Sequence, residues 1–241
     1  MIPQLPLALR WPRRQRFDHF HAGGNAAALA AVRSLAVDEA GTDGAPRIYL
    51  HGPAGCGRSH LLMAACQAAS AAGRRVQYLP LAALGDPAAA LQGVAGSELL
   101  ALDDVHAIAG QREAELALFE LYNRTRAEGS GLLFAADAAP AQLGIGLPDL
   151  RSRLGACTQY LLKPLDDRER RDVLRSQAAM RGIVLDDAVL DWLFARHARD
   201  LGALLDLLDR LDQASLAAQR RVTVPFLRGL LAESEKPGKT V

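Results

Sequence analysis

What a chain like this can fold into is constrained above all by the stretch from Arg47 to Leu62. An apolar run, Arg47-Ile48-Tyr49-Leu50-His51, leads into Gly52-Pro53-Ala54-Gly55-Cys56-Gly57-Arg58-Ser59 and then into the helix-like start His60-Leu61-Leu62. Strand, Gly-rich turn and helix N-terminus follow in that order, and the spacing fits the P-loop pattern at every defined position but one. Gly52, Gly55 and Gly57 let successive backbone N–H groups point inward, and the helix opening near Arg58 adds its partial positive charge. A phosphate chain is cradled there, with the Ser59 hydroxyl placed for Mg²⁺. The exception is Arg58, which stands where the pattern has lysine. A guanidinium is planar and bulkier than the compact ammonium, so the exchange points to retained nucleotide binding, weak or absent intrinsic hydrolysis, and a preference for a diphosphate.

A second landmark is Leu99-Leu100-Ala101-Leu102-Asp103-Asp104. An apolar run ending in two acids reads as a buried parallel strand that delivers carboxylates to its C-terminal end, beside the phosphate loop. Asp103 is expected to hold Mg²⁺ through water and Asp104 to orient an attacking water; the plainer reading makes the pair a cap for the next helix. Leu132-Leu133-Phe134-Ala135-Ala136-Asp137 is another such strand, and its Asp137 either polarises a water near the γ-phosphate or caps the turn before Pro140.

Between these strands the periodicity predicts helices. Asn25 is read as the N-cap of an alanine-rich helix reaching Ala40, closed by Gly41 and Gly44. Gln111 to Ala127 carries an apolar stripe of Leu116, Phe119, Leu121 and Tyr122. Phe17 and Phe20 precede the first helix, either as core aromatics or packed on a nucleotide base. Leu147 to Leu154 is a short helix with two arginines, Arg151 and Arg153, about 200° apart around its axis, so that one of them faces a given partner.

Half of the 241 residues are apolar, enough for one α/β domain and a small satellite. A formal net charge of +1 gives no general drive toward nucleic acid or membranes. Three cysteines without metal spacing, no signal-peptide charge order and no long apolar run together point to the cytoplasm. After Lys163-Pro164 the pattern is helical throughout: 168 to 181, 187 to 196, 199 to 218 and 224 to 231, before a polar tail. The segmentation is therefore an extended arm over 1–16, a nucleotide-binding α/β domain over 17–163, a helical lid over 164–232 and a tail over 233–241. In the arm, Gln4-Leu5-Pro6-Leu7-Ala8-Leu9 alternates its leucines, which either pack back on the domain or enter a partner's groove.

Phosphate loop, acid-pair strand, Asp-ended strand, arginine-bearing helix and helical lid, in this order, resemble the AAA+ ATPases. Phe17-Asp18-His19-Phe20, Gly57-Arg58-Ser59-His60-Leu61-Leu62, Leu102-Asp103-Asp104, Leu147-Pro148-Asp149-Leu150 with Ser152-Arg153-Leu154, and Thr223-Val224-Pro225-Phe226 resemble the Hda family of DnaA-related regulators. That resemblance covers almost the whole chain. It implies a parallel AAA+ P-loop sheet with flanking helices and a small C-terminal all-helical lid. It implies nucleotide contacts from Gly52, Pro53, Ala54, Gly55, Cys56, Gly57, Arg58, Ser59, His60, Phe17 and the lid sensor Arg199. Ser59 and Asp103 serve Mg²⁺, Asp104 positions water, Asp137 is a sensor and Arg153 is an arginine finger.

The same resemblance makes Gln4, Leu5, Leu7 and Leu9 the peptide that docks on the β sliding clamp of DNA polymerase III. Pro6 and Ala8 depart mildly from the usual residues of that peptide without removing an anchor. The implied activity is regulatory: with ADP or ATP as a structural ligand, the protein supplies Arg153 to the ATP held by DnaA, converting DnaA to its ADP form and suppressing re-initiation. The chain ends soon after the lid helices, where DnaA continues into a DNA-binding domain, which argues against an origin-binding initiator. A DnaC-type helicase loader is the main alternative and would hydrolyse its own ATP. A P-loop phosphotransferase ranks last, since the lid is mostly aliphatic. A homodimer is compatible with the sequence.

Overall fold

The computed structural model describes residues 15–37, 46–197 and 201–218, together with Pro225 and Leu227. The chain divides into two compact units between Pro164 and Leu165.

The first unit is a three-layer α/β structure. Its helices are α1 (Ala26–Val37), α2 (Arg58–Ala71), α3 (Pro87–Gln92), α4 (Arg112–Ala127) and α5 (Pro148–Gly155); its strands are β1 (Arg47–His51), β2 (Val76–Pro80), β3 (Leu99–Asp103), β4 (Gly131–Ala136) and β5 (Thr158–Leu161). All strands are parallel, in the order β2-β3-β4-β1-β5. The three central strands are apolar along their length because both faces are covered. Their side chains alternate with period two between the faces. Ile48, Leu50, Leu99, Ala101, Leu133 and Ala135 pack with α1 and α2, while Tyr49, Leu100, Leu102, Leu132, Phe134 and Ala136 pack with α3, α4 and α5. The edge strands β2 and β5 lack this double burial.

Three local expectations are corrected. Asn25 does not cap α1: its buried side chain donates through Nδ2 to the Lys163 carbonyl (2.9 Å) and accepts through Oδ1 from the Lys163 N–H (2.8 Å). A buried amide is better satisfied by that two-way clasp across the fold than by one local bond. Second, Leu116 is 47% exposed. The buried stripe of α4 runs through Ala114, Glu115, Ala117, Leu118, Leu121, Tyr122 and Thr125, with Phe119 half-buried against it, so of the expected stripe only Leu116 faces outward. Third, β3 ends at Asp103, and Asp104 turns out of the strand with a left-handed φ of 55° and no side-chain cap on the turn that follows. At the far end of α1, Arg74 donates to the carbonyls of Leu35 (2.9 Å) and Ala36 (3.0 Å).

The second unit contains α6 (Asp167–Ala179), α7 (Asp187–His197) and α8 (Leu201–Ala218). α6 opens with a capping box: Asp166 Oδ1 accepts from the Glu169 N–H (2.7 Å) and Glu169 Oε2 accepts from the Asp166 N–H (2.9 Å). Leu174, Leu190, Leu193, Leu204, Leu208, Leu211 and Leu227 form its core. Arg181 anchors α8 by donating from Nε (3.2 Å) and Nη2 (3.0 Å) to Asp209. The expected arm, the closing glycines Gly41 and Gly44, Arg199 and the polar tail lie outside the described residues, as does most of the last expected lid helix. No helix among the described residues is long and apolar enough to cross a membrane.

Candidate nucleotide-binding site

The C-terminal ends of β1, β3 and β4 lie together, since His51 pairs with Ala136 and Leu102 with Phe134. In an open parallel sheet this edge is where ligands bind. From it leave the phosphate loop after His51, the acid pair at Asp103 and Asp104, and Asp137.

The loop's shape is fixed by close approaches that only glycine permits. A Cβ on Gly52 would sit 2.4 Å from the Leu162 carbonyl oxygen, and one on Gly57 would sit 2.7 Å from the Phe20 ring. Gly55 and Gly57 have left-handed φ values of 78° and 94°. Gly57 ends the loop as the N-cap of α2 and offers no side-chain acceptor, so the first N–H groups of the helix lack an intrahelical partner. These exposed donors at a helix N-terminus fit an anionic phosphate chain.

Arg58 turns its Nη1 to the Gly52 carbonyl and, at 2.9 Å, to the Ala136 carbonyl, stitching the loop to the end of β4. His60 lies on the other flank, edge-on to Phe20 at 5.4 Å and with Nε2 2.9 Å from the Arg16 carbonyl. Burial lowers the His60 pKa, so the neutral ring donates to that carbonyl. Phe17 is buried in the core under the Arg33 guanidinium (5.2 Å), while Phe20 is the aromatic against the loop. Cys56 is buried beneath the loop, and its thiol is pushed up by desolvation.

Asp103 is fully enclosed and held on both oxygens: Oδ2 accepts from the Tyr78 hydroxyl (2.8 Å) and Oδ1 from the Asp104 N–H (3.0 Å). Asp104 feels burial and the Asp103 charge, which raise its pKa, against His106 and Arg58, which lower it. His106 Nδ1 lies 3.8 Å from Asp137 Oδ1. Arg58, Asp103, Asp104, His106 and Asp137 thus form one electrostatic group at the strand ends. Among the described residues no three of His, Cys, Asp and Glu are grouped so as to hold a metal ion by themselves, so Ser59 and Asp103 would meet Mg²⁺ only together with a bound phosphate chain.

Residues 167–231 match the family described as the lid domain of Hda. The chain also superposes on domain III of the Thermotoga maritima replication initiation protein DnaA, with TM-score 0.73 and 20% identity over 94% of this chain and 99% of that one. The lid segment thus matches the Hda lid family, and the chain shares the fold of DnaA domain III. AMPPCP-bound DnaA from Aquifex aeolicus matches with TM-score 0.69 and 21% identity over 94% of this chain and 70% of that one. The Thermotoga maritima RuvB Holliday junction branch migration motor matches at 0.55 and 18%, over 78% and 62% respectively. At these identities the solved structures establish a shared fold.

Arg153 is not part of the cluster around the phosphate loop. It sits in the last turn of α5, before β5, whose first residue Thr158 pairs with Ile48 near the start of β1. One strand of five residues, about 13 Å of rise, separates that end of the sheet from the loop. Arg151 is the more exposed of the two arginines. α5 is positioned by a residue the sequence did not single out. Glu115, 2% exposed, accepts from the N–H groups of Gly110 (2.7 Å), Gly146 (3.0 Å) and Leu147 (2.8 Å). His106 was also missed; its only sequence signal is its place two residues after the acid pair.

Proposed function

We propose that this chain is a DnaA-related regulator of DNA replication that holds an adenine nucleotide in its own loop and supplies Arg153 to ATP bound by DnaA. The observation that carries the reading is the placement of Arg153 at the opposite end of the sheet from its own phosphate loop. A guanidinium there serves the nucleotide of another chain. Such a group stabilises charge on a transferring phosphoryl and is worth roughly three to five orders of magnitude in rate.

The chain's own nucleotide is ADP or ATP, cradled by residues 52–60, with Ser59 and Asp103 toward Mg²⁺. Mg²⁺ neutralises phosphate charge when bound. Two features support weak intrinsic turnover. The Arg58 guanidinium is committed to two backbone carbonyls, and Asp104 is shorter than a glutamate and reaches less far toward an attacking water. Asp137 and Arg199 act as nucleotide sensors on this reading. Gln4, Leu5, Leu7 and Leu9 dock the arm on the β sliding clamp and so restrict the activity to replicating DNA.

The test is ATP hydrolysis by DnaA of the same organism, with clamp-loaded DNA and this protein, comparing wild type with Arg153→Ala and with Gln4→Ala/Leu5→Ala. Stimulation by wild type and its loss in both variants is expected. Hydrolysis by this chain alone, with none stimulated on DnaA, overturns the reading in favour of a loader-type ATPase.

A further inference from the structure

Around Tyr122, at the N-terminal edge of the sheet, the structure gathers three arginines from three separate elements. Arg47 opens β1 and lays its guanidinium over the Tyr122 ring, 5.4 Å from the centroid. Arg126 lies in the last turn of α4 and Arg153 in the last turn of α5. All three arginines act on the buried Tyr122 hydroxyl, opposing the effect of its burial and of Cys157. Cys157 ties the group together by donating from Sγ to the Arg153 carbonyl at 3.5 Å. No carboxylate pairs with Arg47, Arg126 or Arg153 among the described residues. The Nε of Arg47 is buried without a hydrogen-bond partner.

Three like charges converging on one ring, in a chain whose formal net charge is only +1, repel one another unless an anion joins them. Several other arginines of this fold are paired with acids, Arg33 with Asp18, Arg171 with Asp191 and Arg181 with Asp209 among them. Resting on the reading of Arg153 given above, we propose that Arg47 and Arg126 complete a three-guanidinium site that grips the polyphosphate of a nucleoside triphosphate held by a second AAA+ chain. Arg153 alone is a point contact. Arg47, stacked and therefore fixed in orientation, and the exposed Arg126 turn it into a fork that recognises charge on more than one phosphate. The site consequently distinguishes a triphosphate-loaded partner from a diphosphate-loaded one.

The experiment measures stimulated hydrolysis, and binding of this chain to DnaA loaded with ATP or with ADP, for Arg47→Gln, Arg126→Gln and Arg153→Gln. Each charge removal at Arg47 or Arg126 is expected to lower stimulation about tenfold, the worth of one charge-assisted hydrogen bond, and to shrink the preference for ATP-loaded DnaA. Thermal melting should be unchanged for Arg126→Gln, which is exposed and decides the matter even if Arg47→Gln folds poorly. Full stimulation by Arg126→Gln beside a dead Arg153→Gln overturns the three-arginine site and leaves the finger intact. A loss confined to retention on DNA, with hydrolysis unchanged, also overturns it. If wild type itself stimulates nothing, both this site and the reading beneath it fall.

Discussion

Replacing Glu115 by alanine should release α5 while leaving the phosphate loop in place. The carboxylate is buried in α4 and is the acceptor for three backbone N–H groups, those of Gly110, Gly146 and Leu147. Hydrogen bonds to a charged acceptor contribute about 1.5–3 kcal/mol each, and neutral ones about 1 kcal/mol. Gly110 and Gly146 are at the surface, where water replaces a lost partner, so the lower figure applies to them. Summed this way, Glu115→Ala costs about 4 kcal/mol, a large share of the roughly 5–15 kcal/mol available to a domain. Because the chain has two compact units, a single global melt is ambiguous, and the direct assay is native-state hydrogen exchange at the three amides. Their protection should fall by about a thousandfold, in line with a loss near 4 kcal/mol. Stimulation of the partner should fall with it, since Pro148 and the helix bearing Arg153 begin at Leu147. Nucleotide binding at residues 52–60 should not change. Unaltered protection at Gly146 and Leu147 would refute the claim that Glu115 positions the finger helix.

Three further outcomes are expected. Gly57→Ala should weaken binding of a fluorescent ADP at least tenfold: the left-handed φ of 94° costs an alanine about 1–2 kcal/mol, and its Cβ would lie 2.7 Å from the Phe20 ring. Asn25→Ala loses both bonds to Lys163 at a buried site, which should lower stability by about 1–3 kcal/mol in urea unfolding. His60 is depressed below its ordinary 6.5 by burial, so the unfolded chain binds more protons in the window between its folded pKa and 6.5. Its contribution is intact above pH 6.5 and lost as pH falls through the folded value. The stability of His60→Gln should therefore depend less on pH below 6.5 than that of wild type.

The phosphate loop, the strands β1, β3 and β4 and most helices were legible because each is a local pattern: period two, period 3.6, or glycine at fixed spacing. The strand β1 was read at its observed bounds. What escaped depends on neighbours distant in sequence. Nothing around Asn25 announces that Lys163 will take both of its amide atoms. Nothing in α4 marks Glu115 as the buried acid and Leu116 as the exposed hydrophobe, since a glutamate on a helix is usually solvated. The candidate site was legible in the same proportion. Loop and acids stand on strand ends that periodicity finds, whereas Arg47 and Arg126 became notable only once folding had placed them beside Arg153. Phe17 and Phe20 shared one motif, and packing alone separated the core ring from the ring on the loop.

The separation of the phosphate loop and Arg153 across one parallel sheet gives the first unit two unlike ends. One end receives a phosphate chain and the other presents cations, so like ends have nothing to offer each other. Association through these ends is heterologous, and a twofold-symmetric pair cannot use it to satisfy both members. A copy that meets a relative through its cationic end leaves its own loop facing outward. On the proposed reading it would therefore work as a terminator: it would serve the last member of a row without the row having to continue through it.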